Sequence, residues 1–349
     1  MVFSALLSFG MSAPPGGGSA AGMSGLMWMP TLAPTFARLL AWHLQPVPIL
    51  PAISLVLLVG YVVGVVLLRR RGIRWPFART IWWAAGIATL LAVTATGIDG
   101  YGMELFSVHM VQHMVLSMLT PIFLALGAPI TLIIRVLPSR HGGGWNARKL
   151  FLAFLHSRIA AFITHPAVTV SLFLVSLYGL YFTPAFDYLM STMWGHNLML
   201  IHFLVIGFLY FWGVMGVDPS PSRHKRGIRN LSNPILRILE IIATVPFHAF
   251  FGVVVMMSVD LIVGFYAHPN PAWHLAALSD QQVGGGIAWG FTELPTLVVL
   301  GVLFFHWQTS SARHDRTADR KADIDGDAER VAYNDYLARL ASRDSRISG

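Results

Sequence analysis

The chain is predicted to be all-α: a polytopic membrane helix bundle of about seven transmembrane helices, N-terminus outside and C-terminus cytoplasmic. Three observations lead there. First, 55% of the 349 residues are hydrophobic and only 11% are charged, against about 25% charged in an ordinary soluble domain. Second, seven apolar segments approach the roughly 20 residues that a helical span requires. Third, 23 of the 24 Lys and Arg residues fall on one side of those segments, as the positive-inside bias demands.

The predicted spans are 48–68, 80–95, 104–126, 166–182, 194–214, 234–259 and 286–307. The second and fourth are short and are expected to extend by a turn. Residues 1–46 form an outer, weakly structured N-terminal segment. Residues 47–309 form the membrane domain, and residues 310–349 a charged cytoplasmic tail. Pro14-Pro15-Gly16-Gly17-Gly18 breaks any helix near the start. Without a basic n-region, the first thirty residues do not read as a cleaved signal.

Basic residues cluster in the loop after the first span (Arg69, Arg70, Arg71, Arg74, Arg79), after the third (Arg135 to Arg158), after the fifth (Arg223 to Arg237) and in the tail. Only Arg38 lies on the other side. The net charge of +8 is therefore a topology signal and not a nucleic-acid patch, and the lipid bilayer is the first partner. The opposite side carries Asp99, Glu104, Asp187, Asp260, Asp280 and Glu293, which read as solvated loop ends.

Within this frame, Gly127-Ala128-Pro129 ends the third span, and 130–137 forms a short apolar segment stopped by Pro138. In the tail, 331–340 is expected to make an amphipathic turn or two within a mostly mobile stretch. No Walker, Rossmann or HExxH motif and no Ser-His-Asp signature is present.

There is no cysteine, so disulfides and thiolate metal sites are excluded. A soft metal would have to be held by His and Met. The most specific feature is His109-Met110-Val111-Gln112-His113 in the third span. Residues four apart share a helix face, and strongly polar side chains inside a membrane tend to face the protein interior. The plainer reading is that both rings hydrogen-bond to neighbouring helices. Counting residues inward from the outer ends at about 1.5 Å each places His113, His202 and His248 at similar depth, roughly 12–17 Å down. A shallower tier holds His109, His196, Met256 and Met257. Imidazole and thioether without thiolate suit Cu(I). Met23, Met27 and Met29 precede the first span and read more simply as apolar packing residues. A bis-His haem, for example between His113 and His202, stays open as the alternative chemistry. His141, His156, His224 and His314 sit among basic residues and read as surface.

The run HMVQHMVLSMLTPIFLALGAPITLIIRVLP, from His109 to Pro138, resembles the signature of the CtaG family of cytochrome c oxidase assembly factors, the polytopic bacterial kind. His196, His202 and Pro246-Phe247-His248 followed by Gly252 also match it, and the likeness spans about residues 40–310. It implies a multi-pass protein of the bacterial plasma membrane that matures a haem-copper oxidase by delivering copper to its membrane-embedded centre, without enzymatic turnover. It makes His109, His113, His202 and His248 the leading ligand candidates, with His196 behind them. It also implies a haem-copper oxidase subunit and an outer-side copper donor as partners. Related families carry a fused copper-related domain; a chain of this length leads us to expect such a partner to be separate. A metal-free scaffold for oxidase assembly remains the other reading.

Overall fold

The computed structural model describes residues 27–138, 146–221, 234–325 and 328–347. Most of the predicted N-terminal segment, including Met23, lies outside them, as do His141, His224 and the basic residues Arg140, Arg223, Lys225, Arg226 and Arg229. Contacts divide the chain into two units, Met1–Val299 and Leu300–Gly349, each described by itself.

The first unit is a helical bundle, with no strand among the described residues beyond a single bridge between Trp42 and Thr96. A short α1 (Phe36–Leu40) precedes α2 (Ile49–Arg70) and α3 (Phe77–Thr94). After a connecting turn, α4 (Gly97–Tyr101), comes a composite span. It runs through α5 (Phe106–Met114), a π turn (Val115–Leu119) and α6 (Thr120–Leu126), then bends into α7 (Pro129–Val136). The bend uses a left-handed residue, Ala128 (φ 52°), and Asp218 receives the backbone N–H groups of Ile130 and Thr131 at 2.9 Å each. The Gly-Ala-Pro stop and the short helix behind it thus fall where the sequence puts them.

Three pieces follow: α8 (Ala147–Leu155), α9 (Arg158–Ile163) and α10 (Pro166–Tyr181). A proline biases the residue before it away from helix, and Pro166 keeps α9 and α10 apart. Consequently α10 does not gain the extra turn expected of it and has 16 residues, whereas α3 does extend, starting at Phe77. A small α11 (Ala185–Met190) leads into α12 (Met193–Met215), α13 (Pro234–Met257) and α14 (Ala277–Asp325). Among the described residues, six helices, with α5 to α7 taken as one, have the length and apolar character of membrane spans, and α10 is a seventh, shorter apolar helix. The last span starts nine residues before the predicted position. Its first turns carry Gln281 and Gln282, whose polarity hides the helix from a hydropathy reading. Gln281 accepts from Ile262 N and donates to the Asp260 carbonyl, and Gln282 donates to the Ser258 carbonyl.

The second unit holds the remainder of α14 and α15 (Ala328–Ile347). The turn or two expected at 331–340 is part of this longer helix, rich in the strong helix formers Ala, Arg and Leu. All ten residues 331–340 are exposed.

The loops sort by charge. The Arg71 guanidinium donates to the Val136 carbonyl, which joins two basic loops at one end of the bundle. At the other, acidic end, Asp280 receives the N–H and hydroxyl of Ser107 and Asp187 receives Phe265 N at 3.0 Å. Tyr266 donates to the Gly102 carbonyl at 2.7 Å. These acids fasten the ends of helices. Residues just before α2 join the same end: Tyr101 donates to the Leu32 carbonyl at 2.8 Å, and Gln45 pairs with the backbone of Trp28.

In the centre, α6 packs between α3 and α12, and α12 also covers the π turn. This crossing depends on Gly207. A Cβ there would collide with the carbonyl of Ser117, a main-chain atom that cannot swing away. Gly207→Ala is expected to lower the apparent Tm of the detergent-solubilised protein, at an overpacking cost of about 1–3 kcal/mol. Gly60→Ala serves as control: nothing lies within 4 Å of its added methyl, and no loss of Tm is expected.

Candidate metal site in the bundle core

Among the described residues, four histidines are almost fully buried: His109 (0% exposed), His196 (1%), His113 (3%) and His248 (1%). They come from three helices. His109 and His113 lie one turn apart on α5, His196 one turn inside α12, and His248 nine residues before the end of α13. At about 1.5 Å per residue, the first and third sit nearest the acidic end, and the other two a turn or more deeper.

They meet as two pairs. The ring centres of His109 and His196 are 6.5 Å apart, as are those of His113 and His248. Two metal–nitrogen bonds of about 2 Å, plus the reach from each ring centre to its nitrogen, bring the rings of a shared ion to a similar separation. Aromatic rings surround both pairs. Phe203 lies edge-on to His113 at 4.0 Å, Phe186 to His109 at 5.1 Å, and Phe173 beside His248 at 5.5 Å.

Their polar atoms are mostly unpartnered. Among the four rings, only Nε2 of His109 has a hydrogen-bond partner, the Tyr181 hydroxyl at 3.1 Å. The other seven ring nitrogens are buried without one. An unsatisfied buried polar group costs about 1–3 kcal/mol. A core evolved only for packing has little reason to carry seven, so these nitrogens fit a cation held between each pair. Among the described residues, however, no three His, Asp or Glu side chains gather into a metal-ready group.

Two further polar residues flank the shallow pair, and the sequence reading had treated neither as part of a site. Asp99, on α4, is 5% exposed. Its Oδ1 accepts from Gln112 Nε2 at 2.6 Å and lies 3.9 Å from His196 Nε2. Gln112 is three residues after His109 and one before His113, and it also donates to the Val93 carbonyl at 2.8 Å. Tyr181, at the end of α10, touches both pairs, with its ring 5.5 Å from His113. Nothing local in the sequence ties Asp99 or Tyr181 to the histidines.

His202 and Met256 face other partners. His202 is exposed on α12, and its Nε2 bonds the Ser176 hydroxyl at 2.6 Å. Six residues from His196, it points to another side of the helix. Met256 is partly buried on α13 with its sulfur beside Gly286 of α14. Of the six predicted ligands, the structure brings four together, His109 with His196 and His113 with His248.

Burial pushes the Asp99 carboxyl up, from 3.8 to about 7, with Gln112 and Gln45 opposing the shift. The raised value means that the folded protein holds this proton more tightly than the unfolded chain does. The associated stability is fully present below pH 3.8 and is lost as pH rises through about 7. Asp99→Asn removes that dependence. Between about pH 4 and 7, the apparent Tm of the wild type is expected to fall relative to the variant's; parallel curves would contradict it.

Comparison with known proteins places this arrangement. The family model described as cytochrome c oxidase caa3 assembly factor (Caa3_CtaG) matches residues 59–310, which include all four buried histidines. Uncharacterized proteins of Mycobacterium tuberculosis and Mycobacterium bovis are each 42% identical over 312 residues, covering 88% of this chain and 46% of theirs. One of Mycobacterium leprae is 39% identical over 293 residues, covering 83% of this chain and 43% of its own. The chain therefore spans about half the length of the curated relatives it matches. No solved structure matches it. With the match running through the whole described bundle core, the chain belongs to the cytochrome c oxidase caa3 assembly factor family.

Proposed function

We propose that this protein takes up Cu(I) at the acidic end of the bundle and passes it inward for insertion into a haem-copper oxidase. The acidic end is then the outer face, and the basic end and tail are cytoplasmic, in keeping with the bias of Lys and Arg. The cell membrane of a bacterium is the setting, a separate copper donor the supplier, and an oxidase subunit the recipient.

One observation carries the reading: two stacked pairs of buried histidines with seven unpartnered ring nitrogens. Copper is cargo here, so the chain needs no turnover of its own. Imidazoles in an apolar surround hold Cu(I) without thiolates. Tyr181, bonded to Nε2 of His109, orients that ring, as groups around metal-bound histidines commonly do. Asp99 offsets positive charge beside His196. Both pairs are hemmed in by Phe and Tyr rings, and the cavity beside His248 is about 20 Å³. That is space for a water-sized particle.

The test is made in cells whose own gene is deleted and which express this chain or its His109→Ala/His113→Ala variant at equal level in the membrane. The wild-type chain is expected to restore oxidase activity and its copper content, and the variant to leave both near background. Full restoration by the variant returns the histidines to a packing role and leaves a metal-free scaffold as the better reading.

A further inference from the structure

Beyond the bend at Ala128, α7 packs beside α2. Val56, Gly60 and Gly64 of α2 are four residues apart and share one face. A Cβ on Gly64 would meet the Leu132 side chain of α7 at 3.1 Å, and one on Gly60 would meet nothing within 4 Å. An apolar groove of about 330 Å³ is left between the two helices, with Leu57, Tyr61, Trp83, Leu132 and Val136 in its wall. Two further wall residues, Val56 and Ile133, are 71% and 42% exposed, so the groove opens on the lipid-facing surface of the bundle.

At its basic end the groove meets guanidinium groups. Arg71, the C-cap of α2, comes seven residues after Gly64, two turns along the same face. It donates to the carbonyl of Val136, a wall residue. Next to Val136, Arg135 lies over the Trp75 indole at 5.8 Å, and Arg79 lies over the same ring at 5.0 Å. Trp75 in turn donates to the hydroxyl of Tyr61, also in the wall, at 3.1 Å. The segments 69–79, 127–165 and 215–237 at this end hold a single carboxylate, Asp218. It is 5% exposed and already accepts the N–H groups of Ile130 and Thr131. Arg79 lies within its electrostatic range, whereas Arg71 and Arg135 form no ion pair with a carboxylate among the described residues.

We infer that the groove and these two arginines bind an anionic phospholipid of the leaflet at the basic end, with an acyl chain between α2 and α7 and the headgroup phosphate at Arg71 and Arg135. Charge complementarity selects this occupant. The guanidinium fork matches phosphate oxygens with paired N–H bonds, and basic pockets between membrane helices hold anionic headgroups. The alkyl chain fills the space that Gly60 leaves open, and the phosphate supplies the counter-charge that the surrounding loops lack. So placed, the lipid braces α7 against α2, and α7 continues the span that carries His109 and His113. The inference holds whether or not those histidines carry copper.

The full chain, purified in detergent and freed of lipid, is titrated with dioleoyl phosphatidylglycerol or dioleoyl phosphatidylcholine, and bound lipid is read by native mass spectrometry. The wild type is expected to prefer the anionic lipid. Arg135→Gln, which leaves the bond from Arg71 to Val136 in place, should weaken phosphatidylglycerol binding about fivefold, and Arg71→Gln/Arg135→Gln should abolish the preference. Arg69→Gln/Arg70→Gln removes the same charge from the same end and should keep it. All four arginines are exposed, so these variants test binding and not the core. Gly60→Leu fills the groove and should weaken both lipids, whereas Gly290→Leu, at another glycine with nothing within 4 Å of an added Cβ, should not. Equal affinity of the wild type for the two lipids, or equal losses in the two double variants, overturns the inference in favour of a diffuse attraction. Undiminished binding by Gly60→Leu overturns it by placing the lipid elsewhere.

Discussion

The crossing of α12 over the π turn governs the rest of the core. Gly207 brings the α12 backbone against the Ser117 carbonyl, and no side chain can take its place. Close approach through small residues is how helices associate in lipid, where burial of apolar surface supplies no drive. Held at this distance, α12 sets His196 opposite His109. A second close approach, Gly252 of α13 on the Gly285 and Trp289 backbone of α14, fixes the helix that delivers His248.

The histidine core is costly within that frame. Seven unpartnered ring nitrogens lie in surroundings made of Phe and Tyr, where an unmet polar group is more expensive than in water. Several framework groups elsewhere in the bundle are satisfied, such as Asp218 capping α7, Asp280 holding the start of α5 and Tyr61 donating to the Gly127 carbonyl at 2.9 Å, while the Trp83 and Trp212 indole nitrogens and the Ser117 hydroxyl are buried without a hydrogen-bond partner. Under the proposed function, the gathering of unpartnered nitrogens on four neighbouring rings serves a transient cation. The donors stand ready, and the energy released on binding is not spent on assembling them.

The sequence made the membrane helices legible because their apolar runs and flanking arginines are strong, local signals. His109 and His113 were legible for the same reason, being four apart on one helix. Pairing His196 and His248 with them followed from depth alone, since matched distance from a common end needs no knowledge of neighbours. The same argument placed His202 with the deeper tier, yet depth says nothing about rotation, and that ring turns to Ser176. Asp99 and Tyr181 reach the site through tertiary contacts, and Asp99 resembled any acidic loop residue. The start of α14 was masked by glutamines whose partners are loop backbone groups 19 to 24 residues away in sequence.

The central claim is that two separate pairs of histidines each hold an ion. The direct measurement is the number of Cu(I) ions bound per purified chain, by titration against a chromophoric chelator, for the wild type and for His196→Ala and His248→Ala. The account predicts two ions for the wild type and one for each variant. No bound copper in the wild type, or the same number in all three proteins, would contradict it.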